Sequence, residues 1–178
     1  LIVRANESGA NSEFLINSYI SGVQRDPVVA SLKDGGYVVV WNDQSNAYPG
    51  GNNYDIVAQR YDAAGAKQGD EFLVNNVHKS NHQYEPTVTS HGDGFIVAWR
   101  DDAGSSHGGN GKDIFAKVYT TTAGANPVDT PMAPANEFLV NTDNPSGTQK
   151  TPTITSLSDG GFVVVWRDTS GADNVTGG

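Results

Sequence analysis

Three copies of one sequence unit run through the chain, and this repetition restricts its possible folds more than any other feature. EFLINSYISGVQRDPVVASLKDGGYVVVWND at 13–43 returns as EFLVNNVHKSNHQYEPTVTSHGDGFIVAWRD at 71–101 and as EFLVNTDNPSGTQKTPTITSLSDGGFVVVWRD at 137–168. A fixed period of this length is typical of repeat architectures, in which neighbouring units stack to bury a continuous core. We therefore interpret 1–178 as a single repeat domain, with unit 1 at 13–70, unit 2 at 71–136 and unit 3 at 137–178.

Each unit carries four strand signals in the same order. EFLVN is the first, and PTVTS is the second, with its proline as the first residue of the strand, where a missing N–H is tolerated. A Gly-Asp turn then leads to the third strand, which reads YVVVW, FIVAW or FVVVW. DIVAQRY at 55–61 and DIFAKVY at 113–119 form the fourth. The pattern predicts an all-β protein of three tandem four-stranded antiparallel units.

The third strand of each unit is apolar at every position, which predicts burial on both of its faces. In unit 1 we expect Tyr37, Val39 and Trp41 to face one neighbouring unit, and Val38 and Val40 to face the other. Four-stranded meanders stacked face to face, as in the blades of a propeller, provide this double burial. A three-fold β-trefoil or β-prism is the alternative, although these folds bury mainly one face of each strand.

The N-terminal residues resemble the end of a unit. LIVRANESGANSEF at 1–14 is a shortened version of IVAQRYDAAGAKQGDEF at 56–72, while the third unit reaches Gly178 where its fourth strand would begin. The sequence therefore predicts that 1–12 supplies a strand that completes the last unit, through Ile2–Arg4, within the chain or across a second copy. Because propellers use four to eight blades, a ring of two chains and a window from a longer array both remain open. Leu1 in place of an initiator Met favours a piece of a longer chain.

Charge and cysteine content exclude several function classes. The net charge of −9 and the pI near 4.6 oppose binding to nucleic acid or to anionic membranes, because both need a cationic face. The same charge suits a cation ligand. The absence of cysteine rules out thiolate metal sites. The chain also has no apolar run of about 18 residues, so membrane insertion is not expected.

The loops between the third and fourth strands carry the strongest chemical signal. GGNGKDIFA at 108–116 fits the nine-residue calcium turn GGxGxDxUx, and GGNNYDIVA at 50–58 differs from that pattern at one position. The aspartates that flank each loop are 12 positions apart, both from Asp43 to Asp55 and from Asp101 to Asp113. Calcium takes six to eight oxygen ligands from carboxylates and carbonyls, which such loops offer. In the plainer interpretation, the glycines make turns and the aspartates begin strands.

The calcium hypothesis predicts a set of metal ligands in equivalent loops. The candidate carboxylates are Asp43, Asp55, Asp101, Asp102, Asp113, Asp168 and Asp173, with Asn52, Asn110 and glycine carbonyls completing the cage. The nine-residue turns lie 58 residues apart rather than in tandem, so the sequence does not predict a β-roll. His78 and His82 stand four apart in a polar loop, where we expect them to be exposed rather than to bind a metal.

The repeat unit resembles those of a known group of proteins. EFLVN…P-x-V…L-x-DGGFVVVW…YDIVAQRYDAAG is similar to repeats in large secreted or surface-attached bacterial proteins of the RTX, or hemolysin-type calcium-binding, group, many of which are giant adhesins. The resemblance implies an extracellular or cell-surface module in a calcium-rich setting that serves attachment or display. It implies no catalytic residue.

The sequence leads to two function hypotheses from different classes. The first is a non-enzymatic module for adhesion or self-assembly, whose partners are neighbouring repeats or a second copy of the chain. The second is a lectin that binds glycans at up to three equivalent loops after Trp41, Trp99 and Trp166, although these tryptophans fit a role in covering the core better. No nucleophile elbow or phosphate-binding loop appears, so an enzyme is not expected.

Overall fold

The computed structural model describes residues 1–7, 10–48, 54–103, 111–120, 128–129, 137–143 and 147–169, with only the backbone described over 2–12 and 128–129. The protein is all-β, as predicted. Every pair of adjacent strands in its sheets is antiparallel. A search of the described ranges for a helix long and apolar enough to cross a membrane finds none.

Thirteen strands form four sheets in the described part of the chain. The strands are β1 (Ile2–Glu7), β2 (Ala10–Leu15), β3 (Gln24–Ser31), β4 (Tyr37–Asp43), β5 (Asp55–Tyr61), β6 (Lys67–Leu73), β7 (Gln83–His91), β8 (Gly94–Asp101), β9 (Asp113–Thr120), β10 (Val128–Asp129), β11 (Phe138–Leu139), β12 (Gln149–Ser156) and β13 (Phe162–Asp168). The N-terminal hairpin is β1-β2, the first sheet is β3-β4-β5-β6, and the third sheet is β12-β13. The second sheet is the meander β7-β8-β9, with β10 and β11 both paired to the outer edge of β9.

The four sheets pack face to face through three apolar clusters. One cluster joins the N-terminal hairpin to the first sheet and includes Ile16 and Trp41. The next joins the first and second sheets and includes Val40 and Trp99. The last joins the second and third sheets and includes Ile154. The core is therefore a series of layers between sheets, and the first and second sheets are each covered on both faces.

The faces of β4 are arranged as the sequence predicts. Val39 and Trp41 pack toward the N-terminal hairpin, with Tyr37 beside them. Val38 and Val40 pack toward the second sheet. Alternation along a strand places successive side chains on opposite faces, so a fully apolar strand needs a partner on each side. The stacking of a sheet on each side of β4 meets this need, while the propeller arrangement stays a prediction.

The predicted position of EFLVN as the first strand of its unit is wrong. Phe72 lies in β6 and pairs with Ala58 of β5, and Phe138 lies in β11 and pairs with Ala116 of β9. Each EFL segment thus forms the last strand of the preceding sheet. The sequence units at 13–70, 71–136 and 137–178 are therefore offset from the sheets by one strand. The period of a repeated sequence is the same whichever residue is chosen as the start of the unit. Periodicity alone therefore could not show where one sheet ends and the next begins.

The prolines do not begin their strands, contrary to the prediction. β3 begins three residues before Pro27, and its pairing with β4 shifts register between Arg25 and Val28. β7 and β12 have the same irregularity, and the residue before each proline has a positive φ: 53° at Asp26, 55° at Glu85 and 49° at Thr151. The missing N–H of proline is accommodated at a β-bulge, another position where strands tolerate it.

The N-terminal strand pairs within its own hairpin. Ile2 pairs with Leu15 and Arg4 pairs with Glu13, whereas β13 pairs with β12 among the described residues. No pairing of β1 with the third sheet is seen among the described residues, but β2 occupies only one edge of β1. The prediction that 1–12 completes unit 3, within the chain or across a second copy, therefore stays a prediction.

Candidate metal centre

Two pairs of aspartates lie at the same end of the first and second sheets. Asp43 ends β4 and is directly opposite Asp55, which begins β5. Asp101 ends β8 and is directly opposite Asp113, which begins β9. All four residues are at most 3% exposed. The meander brings each pair together, because the chain leaves one strand and re-enters the next at the same edge of the sheet.

A buried pair of like charges destabilises the sheet unless something neutralises it. Burial raises the pKa of Asp55, and the nearby Asp43 carboxylate raises it further, while a hydrogen bond from Asn75 acts in the opposite direction. Lys79 and His82 lower the pKa of Asp55 in part, although neither forms an ion pair with Asp43 or Asp55 among the described residues. The pair is therefore a place where a cation would relieve repulsion and desolvation together.

Backbone and side-chain donors hold the aspartates at the strand ends. Oδ1 of Asp43 accepts a hydrogen bond from the Ser45 N–H over 2.7 Å, and Oδ1 of Asp101 accepts one from the Ala103 N–H over 2.6 Å. Each of these is an Asx-turn, in which the aspartate side chain accepts the N–H two residues later, and it fixes the carboxylate at the end of the strand. Nε1 of Trp41 also donates to Oδ2 of Asp43 over 3.3 Å.

An asparagine braces the second aspartate of each pair. Nδ2 of Asn75 donates to Oδ1 of Asp55 over 2.9 Å, while Oδ1 of Asn75 accepts the Ile56 N–H over 2.7 Å. Asn141 makes the same two bonds, to Asp113 over 2.9 Å and from Ile114 over 2.8 Å. Both asparagines are buried. At the N-terminus the corresponding Oδ1, that of Asn17, accepts a bond from the Leu1 amino group over 2.6 Å.

A glutamine extends each network toward the next sheet. Oε1 of Gln83 accepts a bond from Nδ2 of Asn75 over 3.0 Å, and Nε2 of Gln83 lies 3.4 Å from Oδ2 of Asp101. Gln149 repeats the second contact, with Nε2 at 3.4 Å from Oδ1 of Asp168. Asp55 of the first sheet is thus connected to Asp101 of the second through two amide side chains.

The sequence analysis missed these amide residues as part of the site. Asn17, Asn75 and Asn141 end the EFLIN or EFLVN segment of each unit, and Gln24, Gln83 and Gln149 precede each proline by three positions. Because these asparagines and glutamines recur in all three units, the sequence alone could have indicated that they have a shared role. This role was overlooked because the search for ligands centred on carboxylates and glycine loops.

The other predicted ligands are placed differently. Asp102 bonds Nε of Arg100 over 2.8 Å and Nζ of Lys112 over 2.9 Å, so both of its oxygens already contact cations. Its predicted role beside Asp101 is therefore not supported. Asp168 ends β13 at the position equivalent to Asp43 and Asp101, opposite Gln149. Asp173 lies outside the described residues.

The donor chemistry of the two pairs fits a hard cation. Each pair supplies two carboxylates. The neutral asparagine holds one aspartate of the pair in position and brings no positive charge that would repel a metal ion. Across the part of the chain that the structure describes, no three His, Cys, Asp or Glu side chains converge closely enough to hold a metal by themselves. Asn52 and Asn110, which the sequence proposes as further ligands, lie outside the described ranges.

Two of the three tryptophans named for sugar binding do not offer exposed platforms, whereas Trp166 is partly exposed. Trp41 and Trp99 are fully buried, which confirms that they cover the core. Aromatic side chains gather elsewhere, beside the start of β5. The guanidinium of Arg25 lies 4.2 Å from the ring centre of Tyr54 and 5.3 Å from that of Tyr84. A cleft of about 400 Å³ opens next to them and includes Arg100 and Lys112 in its lining.

His78 is half-buried, so the prediction that it is exposed is wrong. Its Nδ1 lies 3.0 Å from Oε2 of Glu137, and its ring packs 4.9 Å from that of Phe115. Glu137 also accepts the N–H groups of Val77 over 2.8 Å and His78 over 3.0 Å. This glutamate connects the strand at Phe138 to the loop after β6. Burial raises the pKa of Glu137 to about 7.

Comparisons with known proteins leave the chain without an assigned family. The sequence matches no protein-family model and no curated protein. The fold likewise matches no solved structure.

Proposed function

We propose that the chain is a non-enzymatic extracellular β-repeat module, stabilised by calcium, that acts in adhesion or self-assembly at the bacterial surface. One observation carries the proposal. Buried aspartates lie in pairs, Asp43 with Asp55 and Asp101 with Asp113, at the same end of successive sheets. A fold that needed these positions only for turns would gain nothing from burying two carboxylates side by side.

Calcium would add positive charge beside each pair of carboxylates. The carboxylates of Asp43 and Asp55 are its primary ligands in the first sheet, and those of Asp101 and Asp113 are its ligands in the second. Asn75 and Asn141 orient Asp55 and Asp113 through bonds of 2.9 Å, as residues behind a metal ligand commonly do. A cation that binds only the folded chain stabilises it by mass action.

The surface role is supported by the repeat pattern and by the stacked sheets. The resemblance to repeats of large secreted bacterial proteins points to attachment or display. Sheets that stack on one another suit such a role, because stacked repeats present an extended surface. The observed polar networks connect one sheet to the next, through Asn75 and Gln83 for example, which is a structural use of polar groups.

Isothermal titration calorimetry tests the metal assignment. Metal-free protein titrated with calcium should show binding at 10⁻⁴ to 10⁻³ M, the range typical of extracellular modules. The double variant Asp55→Asn with Asp113→Asn should lose this heat, because one carboxylate of each pair becomes neutral. Asp62→Asn is a matched control, since Asp62 caps the turn after β5 through bonds to Ala64 and Ala66. Equal heats from all three proteins would refute the calcium site.

A glycan-binding lectin is the second candidate, and the polar cleft beside Tyr84 favours it. Tyr54 and Tyr84 pack 5.3 Å apart, with Arg25 over both rings, on a partly exposed surface. Aromatic faces beside polar groups suit sugar rings. Screening the protein against an array of bacterial and host glycans, alongside Tyr84→Ala, tests this candidate. Glycan binding that Tyr84→Ala abolishes would support the lectin, and no binding to any glycan would reject it.

A further inference from the structure

The N-terminal hairpin corresponds to the second half of a sheet. Its register places Ile2 opposite Leu15, just as β5 and β6 place Val57 opposite Leu73. The residue that follows also matches. The Ile16 N–H donates to the Leu1 carbonyl over 3.1 Å, and the Val74 N–H donates to the Ile56 carbonyl over 2.8 Å. The hairpin therefore has the geometry of β5-β6, and among the described residues no strand pairs with its β1 edge in the place of β4.

The third sheet corresponds to the first half of a sheet. β12 and β13 pair with the same bulge before the proline as β3 and β4, and β13 repeats the sequence of β4 almost letter for letter. In the first and second sheets, the far edge of this strand pairs with β5 or β9. Within the described ranges, the equivalent edge of β13 has no such partner. An open strand edge presents unpaired N–H and C=O groups to any matching strand.

The outer face of the third sheet exposes apolar side chains that its counterparts bury. Val163 is 41% exposed and Val165 is 62% exposed, whereas the equivalent Val38 and Val40 are fully buried against the second sheet. In the described part of the chain, the face of β3 beside the N-terminal hairpin is likewise left uncovered. Val29 is 64% exposed there, while its equivalent Val88 packs against the preceding sheet. Among the described residues, each end of the stack thus shows the half-sheet that is not seen at the other end.

We propose that a second copy of the chain completes the sheet, with β1 of one copy paired to the open edge of β13 in the other. The equivalent pairs Trp41–Val57 and Val40–Ala58 set the register. Trp166 would lie opposite Ile2, and Val165 opposite Val3. The composite sheet β12-β13-β1-β2 then has the same strand order as the first sheet. This inference deepens the self-assembly part of the proposed function and rests on it.

The second copy fits the faces as well as the edges. The N-terminal hairpin already packs on the first sheet of its own chain through Ile16 and Trp41. Adding β12 and β13 beside the hairpin would place Val163 and Val165 over Val29 of that first sheet. The contact would repeat the packing between the first and second sheets. The contact joins two different surfaces, the third sheet of one copy and the N-terminal hairpin of the next, so it can repeat from copy to copy. The copies form a closed ring if the rotation between neighbours closes, and a filament if it does not.

Disulfide trapping tests the register directly, because the natural chain contains no cysteine. Directly opposed residues in antiparallel strands are close enough for a disulfide. The double variant Val3→Cys with Val165→Cys should form covalent dimers and larger multimers under mild oxidation, seen on a non-reducing gel. Val3→Cys with Val77→Cys is the matched control, since Val77 is similarly exposed but lies in the loop after β6. Monomers alone, or a disulfide within one chain, would overturn the proposal.

Sedimentation velocity tests the association without cysteines. The parent chain should sediment as larger species as its concentration rises, whereas Val165→Lys should sediment as a monomer. Arg4→Pro should do the same. The Leu1 carbonyl faces β2, and the backbone groups of successive residues alternate between the two edges of a strand. The Arg4 N–H therefore points away from β2, toward the edge of β1 that would pair with β13. Proline at this position leaves the pairing with β2 intact. Val77→Lys should associate like the parent. Circular dichroism of each variant checks that the sheets are intact.

The same runs separate this inference from the calcium proposal. Measured in calcium and in chelator, a chain that binds calcium yet remains monomeric at every concentration would overturn sheet completion alone. A chain that associates equally without calcium would support sheet completion and count against calcium as its stabiliser.

Discussion

Asp43 and Asp55 lie directly opposite each other on adjacent strands, and both are buried. Burial, and then the nearby Asp43 carboxylate, raise the pKa of Asp55, so this arrangement costs stability in the metal-free protein. The second sheet repeats the arrangement one unit further along the chain. Repetition of a buried carboxylate pair at the same place in two sheets is the basis for expecting a cation there.

The buried layers predict a large effect for a charge placed between sheets. Val97 is fully buried between the first and second sheets, so Val97→Asp should lower the free energy of unfolding by about 3 kcal/mol or more. Urea denaturation followed by tryptophan fluorescence measures the change. Val77→Asp, at a half-exposed loop position, should alter stability by no more than about 0.5 kcal/mol. Similar losses in both variants would argue against the layered core.

The asparagine brace predicts a loss from the removal of one amide. Asn75→Ala leaves the Ile56 N–H and the Asp55 carboxylate without their partner, and it breaks the connection to Gln83. The free energy of unfolding should fall by about 2–3 kcal/mol, since each orphaned buried group costs about 1–3 kcal/mol. Asn141→Ala removes the equivalent brace in the second sheet and should cost a similar amount. Chemical denaturation of both variants checks the equivalence, and no loss in either would mean that the networks contribute nothing to stability.

Glu137 predicts a pH dependence of stability. Its pKa is raised to about 7 by burial, above the ordinary value of 4.5 that applies in the unfolded chain. Between these two values the folded chain holds a proton that the unfolded chain has released. The free energy of unfolding should therefore fall as pH rises from about 4.5 to about 7, by up to about 3 kcal/mol for this group.

Glu137→Gln isolates this contribution because the amide does not titrate. Denaturation curves at several pH values should show a shallower decline of stability for the variant across that range. The additional variant His78→Gln replaces the imidazole that contacts Glu137 and is measured in the same way. An identical pH profile for parent and Glu137→Gln would contradict the burial effect.

The bulge at Thr151 predicts a stabilising substitution. Its φ of 49° lies in the left-handed region, which is unfavourable for a β-branched residue, and its side chain is exposed. Thr151→Gly should raise the free energy of unfolding by about 0.5–1 kcal/mol, after allowing for the greater flexibility of glycine in the unfolded chain. The equivalent Glu85→Gly should gain less, because Glu85 bonds Arg100 and the Thr151 N–H. Thermal melts of the two variants provide the comparison.

The sequence predicted the faces of the strands but not the boundaries of the sheets. Val38 and Val39 face opposite sides as expected, because a period of two is a local property of any extended strand. Phe72 was assigned to the wrong sheet, because pairing partners are chosen by tertiary contacts that the period does not encode. The bulge before Pro27 was missed for the same reason.

The candidate site was predicted in part. Equal spacing placed Asp43 with Asp55 and Asp101 with Asp113, since a loop that joins neighbouring antiparallel strands brings its ends together. Asn75 and Gln83 lie far from these aspartates in sequence, and each reaches one of them through strand pairing within a sheet, while the bond between the two amides crosses from the first sheet to the second. The carboxylate of Asp102 bonds Arg100 and Lys112 instead, a competition that spacing alone does not reveal.

The melting temperature in calcium and in chelator tests the central claim most directly. Millimolar calcium should raise it by a few degrees, since a hundredfold excess over Kd adds about 2.7 kcal/mol and weaker saturation adds less. Magnesium should do much less, because it requires a tighter octahedral site. Asp101→Asn with Asp113→Asn should remove most of the shift and leave the calcium-free melting temperature unchanged or slightly higher. Equal melting temperatures in calcium and in chelator, for parent protein shown to be metal-free at the start, would contradict the account.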